Sequence, residues 1–244
     1  MSFMATYRDM GLSSQFIDAI QDDTISVAVD PVAGVSAPAL VCFGGIAGGL
    51  LGPPFEFLRL TEHLNVSRVF VRDLEQCWYQ RGLKGLGTNV LDTAGGLSKL
   101  VSNCSPTRTV FVGTSSGGFA AAMFGSLLGA DEVIAISPQT TIRRIHRLRL
   151  GDRRWKLQIR KARASCIDPV HLDLVAMRNE GPYYPPLSIH YGRADRLDAA
   201  HAARLNGLES VNLVAHDGGH GVARVLRDSQ ELTAILLGAL VPGT

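Results

Sequence analysis

The segment 113–117 has the pattern Gly-x-Ser-x-Gly, with Ser115 at its centre. It follows a β-branched and aromatic run at 107–112, typical of a buried strand, and precedes an Ala- and Leu-rich run at 119–128, typical of a buried helix. At so abrupt a turn the central residue takes a strained backbone that exposes its side chain, and glycines two positions away let the two backbones pass closely. The pattern predicts that the Ser115 hydroxyl is a nucleophile. Ser116 lacks this glycine spacing, and a glycine-rich turn or phosphate loop is the non-catalytic alternative.

A serine nucleophile requires two further groups. The hydroxyl needs a base to take its proton, and the base needs an acid that orients it. In a parallel sheet these groups come from the carboxyl ends of strands. Asp195 follows a predicted strand at 187–192, and His220 follows another at 211–216. We therefore expect His220 to be the general base and Asp195 to be its orienting acid.

Two neighbouring residues are alternatives for these roles. Asp198 lies close after Asp195, and it is suited to cap the helix predicted at 198–208. His216 ends a predicted strand and is typical of a partly buried histidine. The sequence favours Asp195 over Asp198, and it favours His220 because that residue lies in a loop directly before the last predicted helix.

Predicted strands and helices alternate along the chain. The strands are predicted at 24–30, 39–43, 66–73, 107–112, 132–138, 187–192 and 211–216. The helices are predicted at 54–64, 90–101, 119–128, 169–177, 198–208 and 222–237. This alternation indicates an α/β fold with a mostly parallel sheet and helices on both faces. With no repeat or interior boundary, residues 1–244 are expected to form a single domain.

Three local motifs resemble those of the α/β-hydrolase superfamily. They are the nucleophile elbow around Ser115, a Gly-x-x-Asp at 192–195 and a Gly-His at 219–220, in the chain order Ser, Asp, His. The likeness extends from about residue 24 over nearly the whole chain. It implies a serine hydrolase that cleaves an ester or thioester through an acyl-enzyme, without a cofactor. An acyltransferase with the same triad, and a non-catalytic binding or assembly protein on this scaffold, are the alternatives.

The resemblance also implies an oxyanion hole. A glycine-rich loop at 44–49 follows the strand at 39–43 and matches the family's oxyanion loop, although the usual preceding histidine is absent. The N–H of Gly45 or of Ile46 would be one donor, and the N–H of Ser116 would be the other. The loop does not have the glycine spacing of a dinucleotide-binding turn.

A basic segment is placed where this fold commonly carries insertions over the active site. Residues 143–163 contain ten Lys and Arg residues and one acid, Asp152. We expect a short lid insertion at about 140–165, in which Arg143 and Arg147 bind an anionic acyl substrate such as an acyl-CoA or a carrier-protein thioester. The alternative is an amphipathic helix with a solvated basic face.

The loop at 77–87 is rich in aromatic and glycine residues. We expect Trp78 and Tyr79 to form an aromatic wall of the substrate pocket. The alternative is that both rings simply pack in the core.

Composition argues against several other classes of protein. The four cysteines are widely spaced with no histidine at ligand spacing, so neither a metal site nor a disulfide scaffold is expected. The longest apolar stretch, 39–54, contains five glycines and is not a membrane span. Residues 1–16 have no apolar core of signal-peptide length, which favours a cytoplasmic location. The basic segment has no nucleic-acid-binding pattern, and no oligomeric state is predicted.

Overall fold

The structure is a computed structural model that describes residues 13–32, 36–46, 51, 55–180 and 183–241. Its strands are β1 (Val27–Asp30), β2 (Ala39–Phe43), β3 (Ser67–Val71), β4 (Thr109–Thr114), β5 (Glu132–Ile136), β6 (Leu187–Gly192) and β7 (Val211–His216). Its helices are α1 (Ser14–Gln21), α2 (Val90–Asn103), α3 (Ser116–Leu128), α4 (Arg144–Leu150), α5 (Lys156–Ser165), α6 (Leu174–Glu180), α7 (Arg196–Ala203), α8 (Val222–Asp228) and α9 (Glu231–Leu240). A 3-10 turn, Pro169–Leu172, precedes α6.

The strands form one sheet in the order β1-β3-β2-β4-β5-β6-β7. Only β1, at an edge, is antiparallel to its neighbour among these seven strands; the others pair in parallel. The predicted α/β class with a mostly parallel sheet is therefore confirmed. Because the strands are parallel, the loops after β2, β4, β5, β6 and β7 all emerge at one edge of the sheet, where ligands bind in open sheets of this kind.

Both faces of the sheet are covered, which explains why its central strands are apolar throughout. In β2, Val41 and Phe43 join one buried cluster, and Leu40 and Cys42 join the other. The first cluster includes the stacked pair of Phe43 with Phe124, whose ring centroids lie 5.6 Å apart. Two packed layers thus fix the strand ends that carry the loops of the site.

Three helix predictions were wrong in part, and the helix expected at 169–177 is divided into the 3-10 turn Pro169–Leu172 and α6. The helix expected at 54–64 begins outside the described residues, and from 55 to 63 the chain forms bends and turns. The helix expected at 222–237 divides into α8 and α9, because Gln230 adopts a left-handed backbone with φ 64°. The basic segment forms α4 and α5, which lie in the connection between β5 and β6.

Candidate active site

Ser115 lies in the turn between β4 and α3. Its backbone has φ 51° and ψ −117°, an uncommon conformation for a residue with a side chain. A Cβ on Gly113 would lie 2.2 Å from the carbonyl oxygen of Gly117, and a Cβ on Gly117 would lie 2.2 Å from that of Phe43. Both glycines are therefore required by close backbone contacts, and the strand–turn–helix geometry expected of a nucleophile elbow is present.

The backbone N–H groups expected to donate to an oxyanion differ in whether they already have a hydrogen-bond partner. Ser116 is the first residue of α3, so its N–H has no carbonyl partner within the helix. The N–H of Gly45 donates instead to Oε2 of Glu56, across 2.8 Å. The Gly45 N–H is thus already engaged, and Ile46 stays the predicted alternative donor from this loop.

Glu56 joins the oxyanion loop to the nucleophile elbow. Its buried carboxylate accepts hydrogen bonds from the N–H groups of Gly45 and Leu51 and from the hydroxyl of Thr114, which precedes the nucleophile. A buried carboxylate requires several such donors. This residue fixes the position of one loop relative to the other, and no sequence pattern distinguished it.

The acid that contacts His220 is Asp198. The Nδ1 of His220 lies 2.8 Å from Oδ2 of Asp198, whose side chain is fully buried. Asp195 instead caps α7, since its Oδ1 accepts hydrogen bonds from the N–H groups of Leu197 and Asp198. The expectation that Asp195 orients His220 is therefore corrected to Asp198, and the two aspartates exchange the roles that the sequence suggested.

Asp198 is held as a carboxylate. Burial alone would raise its pKa, but the hydrogen bonds and charges of His220 and Arg154 outweigh burial and lower the pKa below its ordinary value. An ionised Asp198 accepts a hydrogen bond from the N–H at Nδ1 of His220, which favours the tautomer with Nε2 unprotonated. This is the tautomer that a general base requires.

Arg154 belongs to the basic segment, between α4 and α5. Its Nη1 donates to Oδ1 of Asp198 across 2.9 Å, and its Nε and Nη2 each donate to Asp152 across 3.2 Å. Asp152 also contacts Nε2 of His201 at 3.0 Å, and the N–H of Thr140 lies 3.1 Å from the other ring nitrogen. The predicted insertion thus contributes a buried charge network behind Asp198.

The hydroxyl of Ser115 contacts a residue that the sequence did not suggest. It donates to Oε1 of Gln139 across 3.4 Å, and among the described residues it makes no hydrogen bond to His220. Gln139 follows β5 and is fully buried, and its Nε2 has no partner. In this structure the Ser115 hydroxyl is therefore paired with an amide, and the His220–Asp198 pair is formed separately.

The other residues expected to bind substrate are largely occupied within the fold. Trp78 and Tyr79 are fully buried in the core, and the Tyr79 hydroxyl donates to the Gly44 carbonyl across 2.8 Å. Arg143 donates to the carbonyl of Pro169, and Arg147 is buried and bonds the carbonyl of Arg154. These expectations are corrected: Tyr79 bonds the loop after β2 from within the core, Trp78 is buried there, and both arginines make internal bonds.

One group of side chains could hold a metal ion by its spacing alone. The ligand atoms of Asp195, Asp198 and His220 lie within 4.8 Å of one another. Most of these atoms are already bonded, because Asp198 and His220 bond each other and Asp195 caps α7. The geometry fits a histidine–carboxylate pair better than a metal centre.

Several solved structures are similar to this chain in fold. The capsule O-acetyltransferase of Neisseria meningitidis serogroup A has a TM-score of 0.63 at 12% identity, with 87% of this chain and 91% of that chain covered. FphF, a fluorophosphonate-binding serine hydrolase of Staphylococcus aureus, has a TM-score of 0.59 at 13% identity, covering 86% and 94%. An esterase of Pyrobaculum calidifontis has a TM-score of 0.56 at 15% identity, covering 88% and 80%.

The chain therefore has an α/β-hydrolase fold, and the predicted resemblance is confirmed at that level. These neighbours are named as an O-acetyltransferase, a serine hydrolase and an esterase, and at 12–15% identity the comparison concerns the fold alone. No protein-family model matches the sequence, and no curated protein matches it. Across the described residues, no helix has the length and apolar character needed to cross a membrane.

Proposed function

We propose that the chain catalyses acyl transfer to water through an acyl-enzyme on Ser115, as an esterase or thioesterase. The observation that carries this proposal is the left-handed backbone of Ser115 between β4 and α3, at the same edge of the sheet as the bonded pair His220–Asp198. A strained serine in this context, together with an oriented histidine, supports nucleophilic catalysis.

In the first half-reaction, Ser115 Oγ attacks the carbonyl carbon and its proton passes to Nε2 of His220. Asp198 stabilises the imidazolium that forms, and the N–H groups of Ser116 and Ile46 donate to the oxyanion. The bond between the acyl carbon and the leaving group then breaks, and the leaving group takes the proton from His220. In the second half-reaction water attacks the acyl carbon and gives a proton to His220. The bond between the acyl carbon and Ser115 Oγ then breaks, the proton returns from His220 to that oxygen, and the acid is released.

This sequence requires the Ser115 hydroxyl to leave Gln139 and reach His220. Rotation about one side-chain bond changes the direction of a serine hydroxyl, and such rotations are fast compared with turnover. Catalytic hydrogen bonds commonly form only when substrate is bound. The contact with Gln139 is therefore the resting arrangement in this proposal.

A second function has support from one comparison. The neighbour from Neisseria meningitidis is an O-acetyltransferase, which moves an acyl group to a hydroxyl. The same acyl-enzyme on Ser115 would serve that reaction if an alcohol took the place of water. A non-catalytic binding protein on this scaffold is the third possibility, and the experiment below separates it from both enzymes.

The test uses wild type and Ser115→Ala with a chain-length series of p-nitrophenyl esters and acyl-CoA thioesters. We expect turnover by wild type and its loss in Ser115→Ala, with a fluorophosphonate probe labelling only wild type. An added alcohol that receives the acyl group would favour the transferase. Equal turnover by both proteins, or no labelling of wild type, would contradict the proposal.

We further propose that an anionic part of the substrate contacts the solvent-facing cations of the basic segment. With Arg143 and Arg147 engaged internally, six cations of this segment remain exposed: Arg144, Arg149, Arg153, Lys156, Arg160 and Arg163. Asp152, the one acid between 143 and 163, is buried. Arg149→Gln with Arg153→Gln should raise KM for an acyl-CoA more than for a neutral ester, whereas Lys99→Gln on α2 should change neither.

A further inference from the structure

Gln139 has an unsatisfied amide beside the nucleophile. Its Oε1 contacts Ser115 Oγ at 3.4 Å, and its Nε2, in the same planar group, has no hydrogen-bond partner although the residue is fully buried. If the amide rotates by half a turn its two atoms exchange places, and one of them still lacks a partner. A buried donor without a partner destabilises a fold unless a ligand satisfies it.

The segment that carries Gln139 has two other features typical of a functional site. Ser137 has a left-handed backbone with φ 47°, and its buried hydroxyl also has no hydrogen-bond partner. Non-glycine residues in this conformation cost free energy, and active sites and ligand sites are among the places where they cluster. Two unsatisfied polar groups within three residues indicate that the end of β5 is built to meet a polar ligand.

The sheet order defines which part of the substrate Gln139 faces. The oxyanion loop follows β2 on one flank of β4, whereas Gln139 follows β5 on the other flank. His220 follows β7, on the same flank as Gln139. In a tetrahedral intermediate the oxyanion faces the N–H donors, and the departing atom faces the histidine that protonates it. Gln139 therefore shares a flank of β4 with the histidine, which is the flank of the departing atom in the proposed mechanism.

We propose that Gln139 is a further catalytic residue, whose Nε2 donates a hydrogen bond to the alcohol oxygen of an ester substrate. The inference rests on the proposed acyl-enzyme function. When the tetrahedral intermediate collapses, the bond between acyl carbon and alcohol oxygen breaks and its electron pair goes to that oxygen. The proton on His220 then passes to the same oxygen, and the Gln139 amide stabilises the charge that develops there.

This role predicts a preference for oxygen over sulfur. An amide N–H donates well to an alkoxide oxygen, whereas sulfur is a weak acceptor. The same amide would also serve an alcohol that enters as acceptor in an acyl transfer, because attack and departure occur at the same position. The ligand class is thus a hydroxyl-bearing compound or its ester.

The test compares benzyl acetate with S-benzyl thioacetate, which share an acyl group and differ in one atom. For Gln139→Met we expect kcat/KM to fall by about tenfold or more with the oxygen ester, a loss typical of removing one positioned donor, and by less than about threefold with the thioester. The ratio kcat/KM reports acylation, so the shared deacylation step does not obscure the difference. Gln139→Leu is measured in parallel in case one variant fails to fold.

Thermal unfolding provides the structural control. Met removes the buried Nε2 that lacks a partner and gives up only the long 3.4 Å contact of Oε1 with Ser115, so the Tm of Gln139→Met should equal or exceed that of wild type. Equal losses on both substrates, an unchanged oxygen-ester rate, or a lowered Tm that accounts for the activity loss would overturn the inference. Ser115→Ala distinguishes the two proposals, because activity that survives that change contradicts the acyl-enzyme itself, whatever Gln139→Met does.

Discussion

Arg154 donates from Nη1 to Oδ1 of Asp198 across 2.9 Å, while the other oxygen of this carboxylate contacts His220. The arginine comes from the insertion between β5 and β6, and the aspartate from α7. The insertion therefore takes part in orienting the acid of the histidine pair. Its other partner, Asp152, is fully buried and is held by Arg154 and His201.

Arg154→Gln should impair both stability and activity. Removing one member of a buried ion network leaves a poorly compensated charge, here on Asp152 and Asp198, and we expect a loss of roughly 3 kcal/mol in the free energy of unfolding. Asp198 would also be free to turn away from His220, which lowers kcat. Urea unfolding and ester turnover measure the two effects. The exposed Lys99→Gln on α2 is the control, and equal behaviour of the two variants would contradict this role.

The two aspartates of α7 should respond differently to the same substitution. Asp198→Asn should lower kcat by roughly 10³-fold or more, because the amide no longer fixes the tautomer of His220. Asp195→Asn should keep most activity and stability, since asparagine caps a helix as well as aspartate does. The kcat of ester hydrolysis, measured for both variants, shows which aspartate orients His220. A large kcat loss confined to Asp195→Asn would restore the assignment that the sequence suggested.

The sequence was sufficient to predict the geometry of the turn around Ser115, but not to choose the aspartate that contacts His220. Gly113, Ser115 and Gly117 act within one turn, so their spacing alone determines the close backbone contacts. Asp195 and Asp198 both lie near the end of β6, and the choice between them depends on which one begins the helix. An aspartate at the N-cap followed by an acid in the first turn is a known helix-start pattern, and it could have indicated that Asp195 is the cap.

Other contacts of the site could not be read from the sequence because they join distant positions. Gln139 is 24 residues from Ser115, Arg154 is 44 residues from Asp198, and Glu56 is 58 residues from Thr114. None of them lies in a local pattern that distinguishes it from its neighbours. Folding, rather than spacing, brings these groups together.

Glu56→Gln should lower kcat with little change in KM. The amide of glutamine has only one acceptor atom, so it cannot accept from Gly45, Leu51 and Thr114 as the carboxylate does. The oxyanion loop would lose its fixed position, and loss of an oxyanion donor lowers kcat by about 10²-fold. Steady-state ester kinetics test this, with the exposed Glu62→Gln as control. An increase in KM alone would indicate that Glu56 serves substrate binding instead.

Acidification should destabilise the fold partly through His190. This residue on β6 is almost fully buried, and its Nδ1 lies 2.9 Å from Nε2 of His216. Burial, and then the charge of His216, lowers the pKa of His190 from 6.5 to about 4. A depressed histidine pKa means that the unfolded chain binds the proton more readily. Stability from the neutral ring is therefore complete above pH 6.5 and is lost as the pH falls from 6.5 towards about 4.

Over this range the contribution of His190 to the free energy of unfolding should fall by about 3 kcal/mol. His190→Gln removes this part of the pH dependence, whereas the exposed His63→Gln should leave it intact. Urea unfolding at pH 7.5 and at pH 4 measures the difference. Parallel pH profiles for wild type and His190→Gln would show that other groups account for the acid sensitivity.

Two glycine-to-alanine changes should have opposite effects on stability. In Gly117→Ala the new Cβ would lie 2.2 Å from the Phe43 carbonyl oxygen, so β2 and α3 must separate and the elbow around Ser115 cannot keep its geometry. Gly95, on the exposed side of α2, has no atom within 4 Å of an added Cβ. Gly95→Ala should therefore stabilise the chain by about 0.5–1 kcal/mol, because alanine is the better helix former.

Thermal unfolding and fluorophosphonate labelling test both glycine variants. We expect Gly117→Ala to lose both stability and labelling, whereas Gly95→Ala should label like wild type. Wild-type labelling of Gly117→Ala at full stability would contradict the close-contact argument for the elbow.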